Sequence, residues 1–187
     1  MRPTWPPTQP SITGGQLALR PWQASDAEVV ATACQDPLIQ RYTRVPVPYL
    51  ISDAQEFIRT SADAWASGAE ANYAVVEHRQ VVGAISLMSF DHQQATAEIG
   101  YWVAPWARGR GIARTAIGMI ADWGAGELGL QRFLLQIEDE NVASVAAALA
   151  AGAVRSGEVA EAEVRGTARG LRQYWLGVSG AAHPRPA

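Results

Sequence analysis

The apolar residues follow two different periods along the chain, which predicts a mixture of strands and helices. Residues 17–20 alternate between apolar and other positions, as a half-buried strand does. Strand-like runs follow at residues 73–77, 81–89 and 96–103, and their short connections favour antiparallel pairing. Three shorter runs near the end complete the set of predicted strands: 133–137, 154–159 and 173–178.

Four segments carry the start signals and apolar spacing of helices. The first begins at Ser25-Asp26 and is expected to end near Asp36-Pro37, and the second begins at Ser52-Asp53. The third follows the loop at 105–111 and runs to about Gly124, and the fourth runs from Asn141 to Gly152. The element order βααβββαβαββ predicts an α/β (α+β) fold, with one mixed, mostly antiparallel sheet flanked by helices.

Length and composition favour one domain with loose ends. The 187 residues suit a single ordinary domain, which we place at residues 16–178. Residues 1–15 are rich in Pro, Thr and Gly and predict a flexible arm. Residues 179–187 predict a flexible tail.

Charge and cysteine content exclude several classes of function. A net charge of −3 argues against a nucleic-acid binder and is compatible with a cationic substrate. No apolar run is long enough for a membrane helix, so no membrane partner is expected. The single cysteine, Cys34, cannot form an internal disulfide and favours a reducing, cytoplasmic location. The three histidines are scattered, and no metal site is expected.

The segment VAPWARGRGIAR, residues 103–114, leaves a predicted strand and enters a helix. The first N–H groups of a helix lack partners within it, and the helix dipole adds partial positive charge. Gly109 and Gly111 allow a phosphate to approach the backbone, and Arg108, Arg110 and Arg114 add mobile positive charge. A pyrophosphate is the natural ligand, although a basic turn that only caps the helix remains an alternative.

Two common pyrophosphate motifs do not fit this loop. The Gly-Lys-Ser/Thr sequence of the nucleotide-binding loop is absent, which argues against ATP. A dinucleotide fingerprint would need a third glycine at the position of Arg114, and it would follow a parallel strand pair.

Arg108-x-x-Gly111-x-Ala113 resembles the signature of the GNAT superfamily of N-acetyltransferases. The run AEIGYWVAP at 97–105 is similar to the RimJ/RimL-like branch, which acetylates protein N-termini. LRPW at 19–22 and Glu140-Asn141-x-x-Ser144 fit that branch too, so the resemblance extends over nearly the whole predicted domain.

The resemblance implies that strands 96–103 and 133–137 splay apart around acetyl-CoA, or another acyl-CoA, as co-substrate. It assigns coenzyme contacts to one strand, one turn and one helix start: Tyr101, Trp102, Val103, Arg108, Gly109, Arg110, Gly111, Ile112, Ala113, Arg114 and Asn141. Asn141 is also well suited to be a helix N-cap, and the two roles are compatible.

We expect Glu98 to be the general base and Ser144 to steady the thiol or donate a proton. The alternatives are a solvent-facing or ion-paired strand residue for Glu98 and a packed small residue for Ser144. The chain departs from many relatives at two catalytic positions, where Ala148 replaces a tyrosine and Gln136 replaces a glutamate. Ala153 replaces a common phenylalanine, which should affect packing more than chemistry.

The leading hypothesis is acetylation of a protein N-terminal α-amine. Acetylation of a small amine or aminoglycoside, transfer of a longer acyl group such as succinyl, and a non-catalytic CoA-binding sensor remain alternatives, and a homodimer is possible. Two further sets of residues could contact an acceptor, or could be loop anchors and solvated surface: Tyr42, Arg44 and Tyr49 in the first set, and Glu158, Glu161 and Glu163 in the second.

Overall fold

The computed structural model describes residues 5–178, apart from the side chain of Val164. It contains eight strands and five helices within that range. The strands are β1 (Ile12–Gly14), β2 (Leu17–Arg20), β3 (Ala71–Glu77), β4 (Gln80–Asp91), β5 (Thr96–Val103), β6 (Arg132–Ile137), β7 (Val154–Val164) and β8 (Thr167–Gly177). The helices are α1 (Ala27–Ala33), α2 (Pro37–Tyr42), α3 (Ile51–Ser67), α4 (Ile112–Leu128) and α5 (Val142–Ala150).

The strands form one sheet in the order β1-β2-β3-β4-β5-β6-β8-β7. Every neighbouring pair in it is antiparallel except β5 and β6, which run parallel. The β5–β6 pairing extends from Thr96↔Arg132 to Glu98↔Leu134 and then stops, while both strands continue. The two strands therefore diverge into a V-shaped cleft, which confirms the predicted fold class and its splayed central strands.

The hydrophobic core lies between the sheet and its helices. Helix α4 packs across β1, β2, β4 and β5, while α1 packs against α3 and α3 against β3. Aromatic rings join α3, α4 and the sheet, because Trp65 and Trp123 both contact Tyr73. Among the described residues, no helix has the length and apolar character that crossing a membrane requires.

The N-terminal segment predicted to be an arm is partly built into the sheet. Ile12–Gly14 form β1, and the Trp5 indole donates a hydrogen bond of 2.8 Å to the Trp65 carbonyl. Trp5 also packs on Phe90 at a centroid distance of 5.4 Å. Partial burial of one large aromatic ring stabilises an ordered segment in spite of the local preference of a Pro-rich sequence for open structure. The predicted tail, 179–187, lies outside the described residues.

The predicted first helix corresponds to α1, and a further short helix, α2, follows it where none was predicted. Helix α1 ends at Ala33, and α2 begins at Pro37, with Asp36 as an N-cap that accepts from the Leu38 and Ile39 amides. Proline at the first helical position starts a helix instead of only ending the one before. Helix α3 begins one residue earlier than its predicted cap, since Asp53 accepts from the Leu50 amide.

The last two strands form a long hairpin that the sequence pattern underestimates. Strands β7 and β8 each have 11 residues, against predicted segments of six residues each. They are joined by Arg165 and Gly166, with φ values of 51° and 73°, as a tight hairpin turn requires. Among its described side chains, the outer part of the hairpin has none that is fully buried on either face, so its sequence lacks the clear alternation that marks a half-buried strand.

Candidate active site

The loop before α4 presents a row of unpaired backbone amides. Gly109 and Gly111 have φ values of 76° and 74°, and a Cβ added at either would meet no atom within 4 Å. The first hydrogen bond of α4 runs from the Thr115 amide to the Gly111 carbonyl at 3.1 Å. Within residues 5–178, the amides from Gly109 to Arg114 donate to no other protein group. The turn is therefore open, positively polarised and able to accept an anion such as a diphosphate.

Two of the three arginines in or next to this loop form ion pairs with carboxylates. Arg108 forms a bidentate pair with Asp36, with nitrogen–oxygen distances of 2.6 and 3.2 Å. Arg110 pairs with Glu77 at 2.9 Å. The expectation of three mobile positive charges is therefore met only by Arg114, which is exposed and forms no ion pair with a described residue.

The Arg108–Asp36 pair connects the loop to α2. Hydrogen bonding to Arg108, together with amide donors of α2, holds the Asp36 pKa below its usual value despite partial burial. Asp36 is also the N-cap of α2, so one carboxylate fixes the position of the loop and the start of that helix.

The other predicted coenzyme residues line the splayed edge of β5. Tyr101 lies on the sheet face that also carries Tyr73 and Ile85, and Trp102 lies on the opposite face. Beyond Glu98, this edge of β5 has no strand paired to it among the described residues. Its backbone groups are therefore available to an extended ligand.

Tyr101 has a role that sequence reasoning missed. Its hydroxyl donates to the Ser144 carbonyl at 3.2 Å and so crosses from β5 to the first turn of α5. Burial raises the pKa of Tyr101, so the phenol remains protonated at neutral pH. Strand alternation predicts that Tyr101 lies on the face of the sheet that packs against α4. It does not predict a contact with a residue 43 positions away.

Asn141 is the N-cap of α5. Its Oδ1 accepts a hydrogen bond of 3.2 Å from the Ser144 amide, as the alternative role required. The Asn141 side-chain nitrogen makes no hydrogen bond to a described residue and could still bind a ligand. Ser144 is half-buried beside the Tyr101 hydroxyl, so the fold brings Asn141, Ser144 and Tyr101 together.

Glu98 lies on the other face of the sheet from this group. Register places its side chain beside Leu134 and on the same face as Gln136, across the cleft from Ser144. Burial raises the Glu98 pKa, while the charge of Arg44 and a hydrogen bond with Ser89 lower it to a smaller extent. Glu98 forms no ion pair with any described residue, although the charge of Arg44 is near enough to act on its pKa.

Gln136 and Gln173 are directly opposite each other on β6 and β8. The Gln173 side-chain oxygen is buried and has no hydrogen-bond partner among the described residues. Both amides share the sheet face of Glu98, so this face offers uncharged polar groups next to one carboxylate.

A cavity of about 450 Å³ opens beyond the end of β6. It is lined by α2, by the residues after β6 and by the β7–β8 hairpin: Arg41, Glu138, Asp139, Glu140, Val159, Thr167, Ala168, Arg169 and Gly170. Glu138 pairs with Arg169 at 2.6 Å, and Asp139 pairs with Arg155 and Arg172. Two of the three carboxylates of this cavity are therefore neutralised by arginines.

The residues predicted to contact an acceptor are partly packed into the fold and partly exposed on its surface. Tyr49 is buried and its hydroxyl contacts Cys34, so it anchors the α2–α3 connection. Tyr42 donates to the carbonyl of Glu140, a residue that lines the cavity, at 3.3 Å. Glu158, Glu161 and Glu163 are exposed on β7, an edge strand. No cluster of three or more metal-binding side chains occurs in the described part of the chain.

The sequence of this domain matches a known family of acyltransferases. The family model described as an acetyltransferase (GNAT) domain matches residues 16–154, about three quarters of the chain. The chain therefore belongs to the GNAT family, which confirms the predicted class: an acetyl-CoA-dependent acetyltransferase.

Individual relatives agree on the class and differ in their acceptors. An uncharacterized N-acetyltransferase, p20, from Bacillus licheniformis is 27% identical over 132 residues, covering 70% of this chain and 74% of the relative. RimJ of Mycobacterium smegmatis, solved with a CoA-disulfide, has a TM-score of 0.79 and 22% identity, over 87% of this chain and 82% of that one. Spermidine N-acetyltransferase of Vibrio cholerae, solved with CoA and spermine, has a TM-score of 0.73 and 22% identity, over 88% and 96%. At these identities the two structures establish the shared fold and leave the acceptor open.

Proposed function

We propose that the chain transfers the acetyl group of acetyl-CoA to the α-amine of a protein or peptide N-terminus. The observation that carries the proposal is the row of unpaired amides from Gly109 to Arg114 beside a cleft between two diverging strands. The turn would hold the diphosphate, and the free edge of β5 would hold the pantetheine arm. The thioester would then lie between Ser144 on one side and Glu98 on the other.

In this arrangement, alignment of the two substrates contributes most of the rate enhancement. Alignment of two reactants contributes about 7–11 kcal/mol, whereas a general base contributes about 3–5 kcal/mol, from a factor of 10²–10⁴. Glu98 accepts a proton from the attacking amine, directly or through water. Ser144, with the protonated Tyr101 hydroxyl beside it, stabilises the departing thiolate and offers it a proton.

The charge of the site favours an α-amine over a polyamine. A polycation would need several unpaired carboxylates, and the cavity beyond β6 pairs Glu138 and Asp139 with arginines. At pH 7 roughly a tenth of an α-amine with a pKa of ~7.7–8.0 is already neutral, against well under a thousandth of a lysine amine at ~10.4. One half-buried carboxylate is therefore a sufficient base for an α-amine.

The coenzyme site is tested by Gly111→Ala, with Gly15→Ala as the matched control. Both glycines have a positive φ, 74° and 60°, and an added Cβ meets no protein atom within 4 Å at either position. Both variants should therefore lose a similar stability, about 1 kcal/mol. Only Gly111→Ala places a methyl group where the diphosphate approaches, so calorimetry should show at least about tenfold weaker acetyl-CoA binding in that variant alone. Equal affinities in the two variants would place the coenzyme elsewhere.

The acceptor is tested by a thiol-release assay with acetyl-CoA and a panel of peptides, polyamines and aminoglycosides. We expect turnover on peptides with an unblocked N-terminus and none on the same peptides with a blocked N-terminus. Faster turnover on spermidine than on any of the peptides would show that the acceptor is a polyamine and not a peptide N-terminus. A repeat with succinyl-CoA tests acyl length, and CoA binding without turnover on any acceptor would favour a sensor.

A further inference from the structure

The tip of the β7–β8 hairpin reaches across the molecule to the connection between α2 and α3, residues 43–50. Arg165, in the hairpin turn, donates from its two terminal nitrogens to the Gln40 and Val45 carbonyls, the latter at 3.1 Å. Arg169, on β8, donates to the Arg41 carbonyl and pairs with Glu138 at 2.6 Å. These contacts join positions up to 128 residues apart in the chain.

Two of the three carbonyls that the arginines bind lie at the end of a helix and need a partner. Gln40 and Arg41 are in the last turn of α2, where helix carbonyls have no amide partner in the helix. A guanidinium at a helix C-terminus is also favoured by the helix dipole. One side chain can satisfy two carbonyls at once because its N–H groups have a fixed fork geometry.

We propose that Arg165 and Arg169 are positioning residues, which clasp the α2–α3 connection to the hairpin and thereby place Arg44 beside Glu98. The connection carries Arg44, and the clasp holds it at both sides, through Gln40 and Arg41 before it and Val45 after it. The proposal rests on the proposed function, because it assigns the Glu98 face to the acceptor.

Arg44 is the charged group that acts on Glu98. From β4 the polar contact is Ser89. From β6, Leu134, Gln136 and the cationic Arg132 share the face of Glu98, and the Arg132 guanidinium lies over the Trp175 ring at 5.0 Å from its centroid. Release of the connection removes positive charge near Glu98, so its pKa rises and the acidic limb of the rate profile moves to higher pH. If the connection only covered the surface, its release would not shift the acidic limb of the pH–rate profile.

The test is Arg165→Ala, with Arg165→Lys as the conservative variant and Arg155→Ala as the control. Arg155 lies on the same hairpin, and its partner Asp139 keeps a second arginine, Arg172. In Arg165→Ala we expect the KM for the peptide acceptor to rise by about tenfold or more, with the KM for acetyl-CoA unchanged. The acidic limb of kcat/KM should move to higher pH, and lysine should restore part of both effects.

Amide exchange of residues 40–50, read by mass spectrometry, tests the clasp without any turnover. Exchange in this segment should quicken in Arg165→Ala and remain as in the wild type in Arg155→Ala. Unchanged exchange in Arg165→Ala, or an equal change in both variants, overturns the clasp. Faster exchange without any change in acceptor KM or pH profile would retain the contact and reject its role in positioning. If no amine acceptor is turned over by the wild type, the proposed function fails while the exchange result still decides the clasp.

Discussion

Burial of Glu98 costs folding stability but suits its proposed role as a base. The sheet holds its carboxyl partly out of water, and burial raises its pKa. Arg44 and Ser89 offset only part of that effect. A carboxylate with a raised pKa is a stronger base near neutral pH than an ordinary one, so the same burial that costs stability suits proton abstraction.

Glu98→Gln tests this base directly. The wild-type rate should fall as pH drops through the raised Glu98 pKa, because only the ionised carboxylate accepts a proton. It should fall further because the amine itself becomes protonated. At pH values above the Glu98 pKa, kcat/KM of the variant should be lower than that of the wild type by a factor of about 10²–10⁴. The pH dependence that remains should be only the one caused by protonation of the amine. A pH–rate profile identical to that of the wild type would remove Glu98 from the mechanism.

The stability of the same variant is its internal control. The folded-state pKa of Glu98 lies above its unfolded value, so the folded state loses relative stability as pH rises through that interval. Glu98→Gln should therefore melt at a higher temperature than the wild type at pH 7, and the difference should vanish below about pH 4. Lower activity with higher thermal stability could not be explained by partial unfolding. A lower melting temperature at pH 7 would indicate that the carboxylate has a partner that stabilises it.

Helix α4 follows the turn that we propose to hold the diphosphate, and one glycine sets the distance of α4 from the sheet. A Cβ at Gly124 would lie 3.0 Å from Leu87 and from Phe133, both fully buried. We expect Gly124→Ala to destabilise by about 1–3 kcal/mol through overpacking, in spite of its better helix propensity. Gly126→Ala, on the exposed side of α4 with nothing within 4 Å, should stabilise by about 0.4–1 kcal/mol.

Urea denaturation of the two variants, followed by tryptophan fluorescence, measures both changes. Equal stabilisation by the two substitutions would mean that α4 can move away from the sheet, and the turn could then not be held rigidly. Acetyl-CoA affinity of Gly126→Ala should equal that of the wild type.

Sequence signals predicted elements well where one face is buried and poorly where contacts come from afar. The glycine turn at 109–111, strand β5 and the Asn141 cap follow from local chemistry, and they were placed correctly. The outer part of the hairpin was missed because neither face is buried there. The pairing of Arg108 with Asp36, 72 residues away, has no local signature, so its charge could not be assigned before the fold was known.

At the scale of the molecule, the sheet is divided at the parallel pair. Strands β1 to β5 form one part and β6 to β8 the other, and among the described residues the strand pairing between the two parts runs only from Thr96 to Glu98. A ligand in the cleft would contact both parts. At 100 times its Kd, a ligand that binds only the folded state stabilises it by about 2.7 kcal/mol.

Acetyl-CoA should therefore protect a defined part of the backbone from hydrogen exchange. Without it, amides on the free edge of β5 and those from 109 to 114 have no protein partner, and they should exchange much faster than β3, which is paired on both sides. With it, peptides covering 99–103 and 109–114 should slow by at least about tenfold, beyond the protection common to the whole chain. Peptides covering β3 supply that common level. Protection centred on the cavity beyond β6, with 109–114 unaffected, would place the coenzyme in that cavity and contradict the proposed reaction geometry.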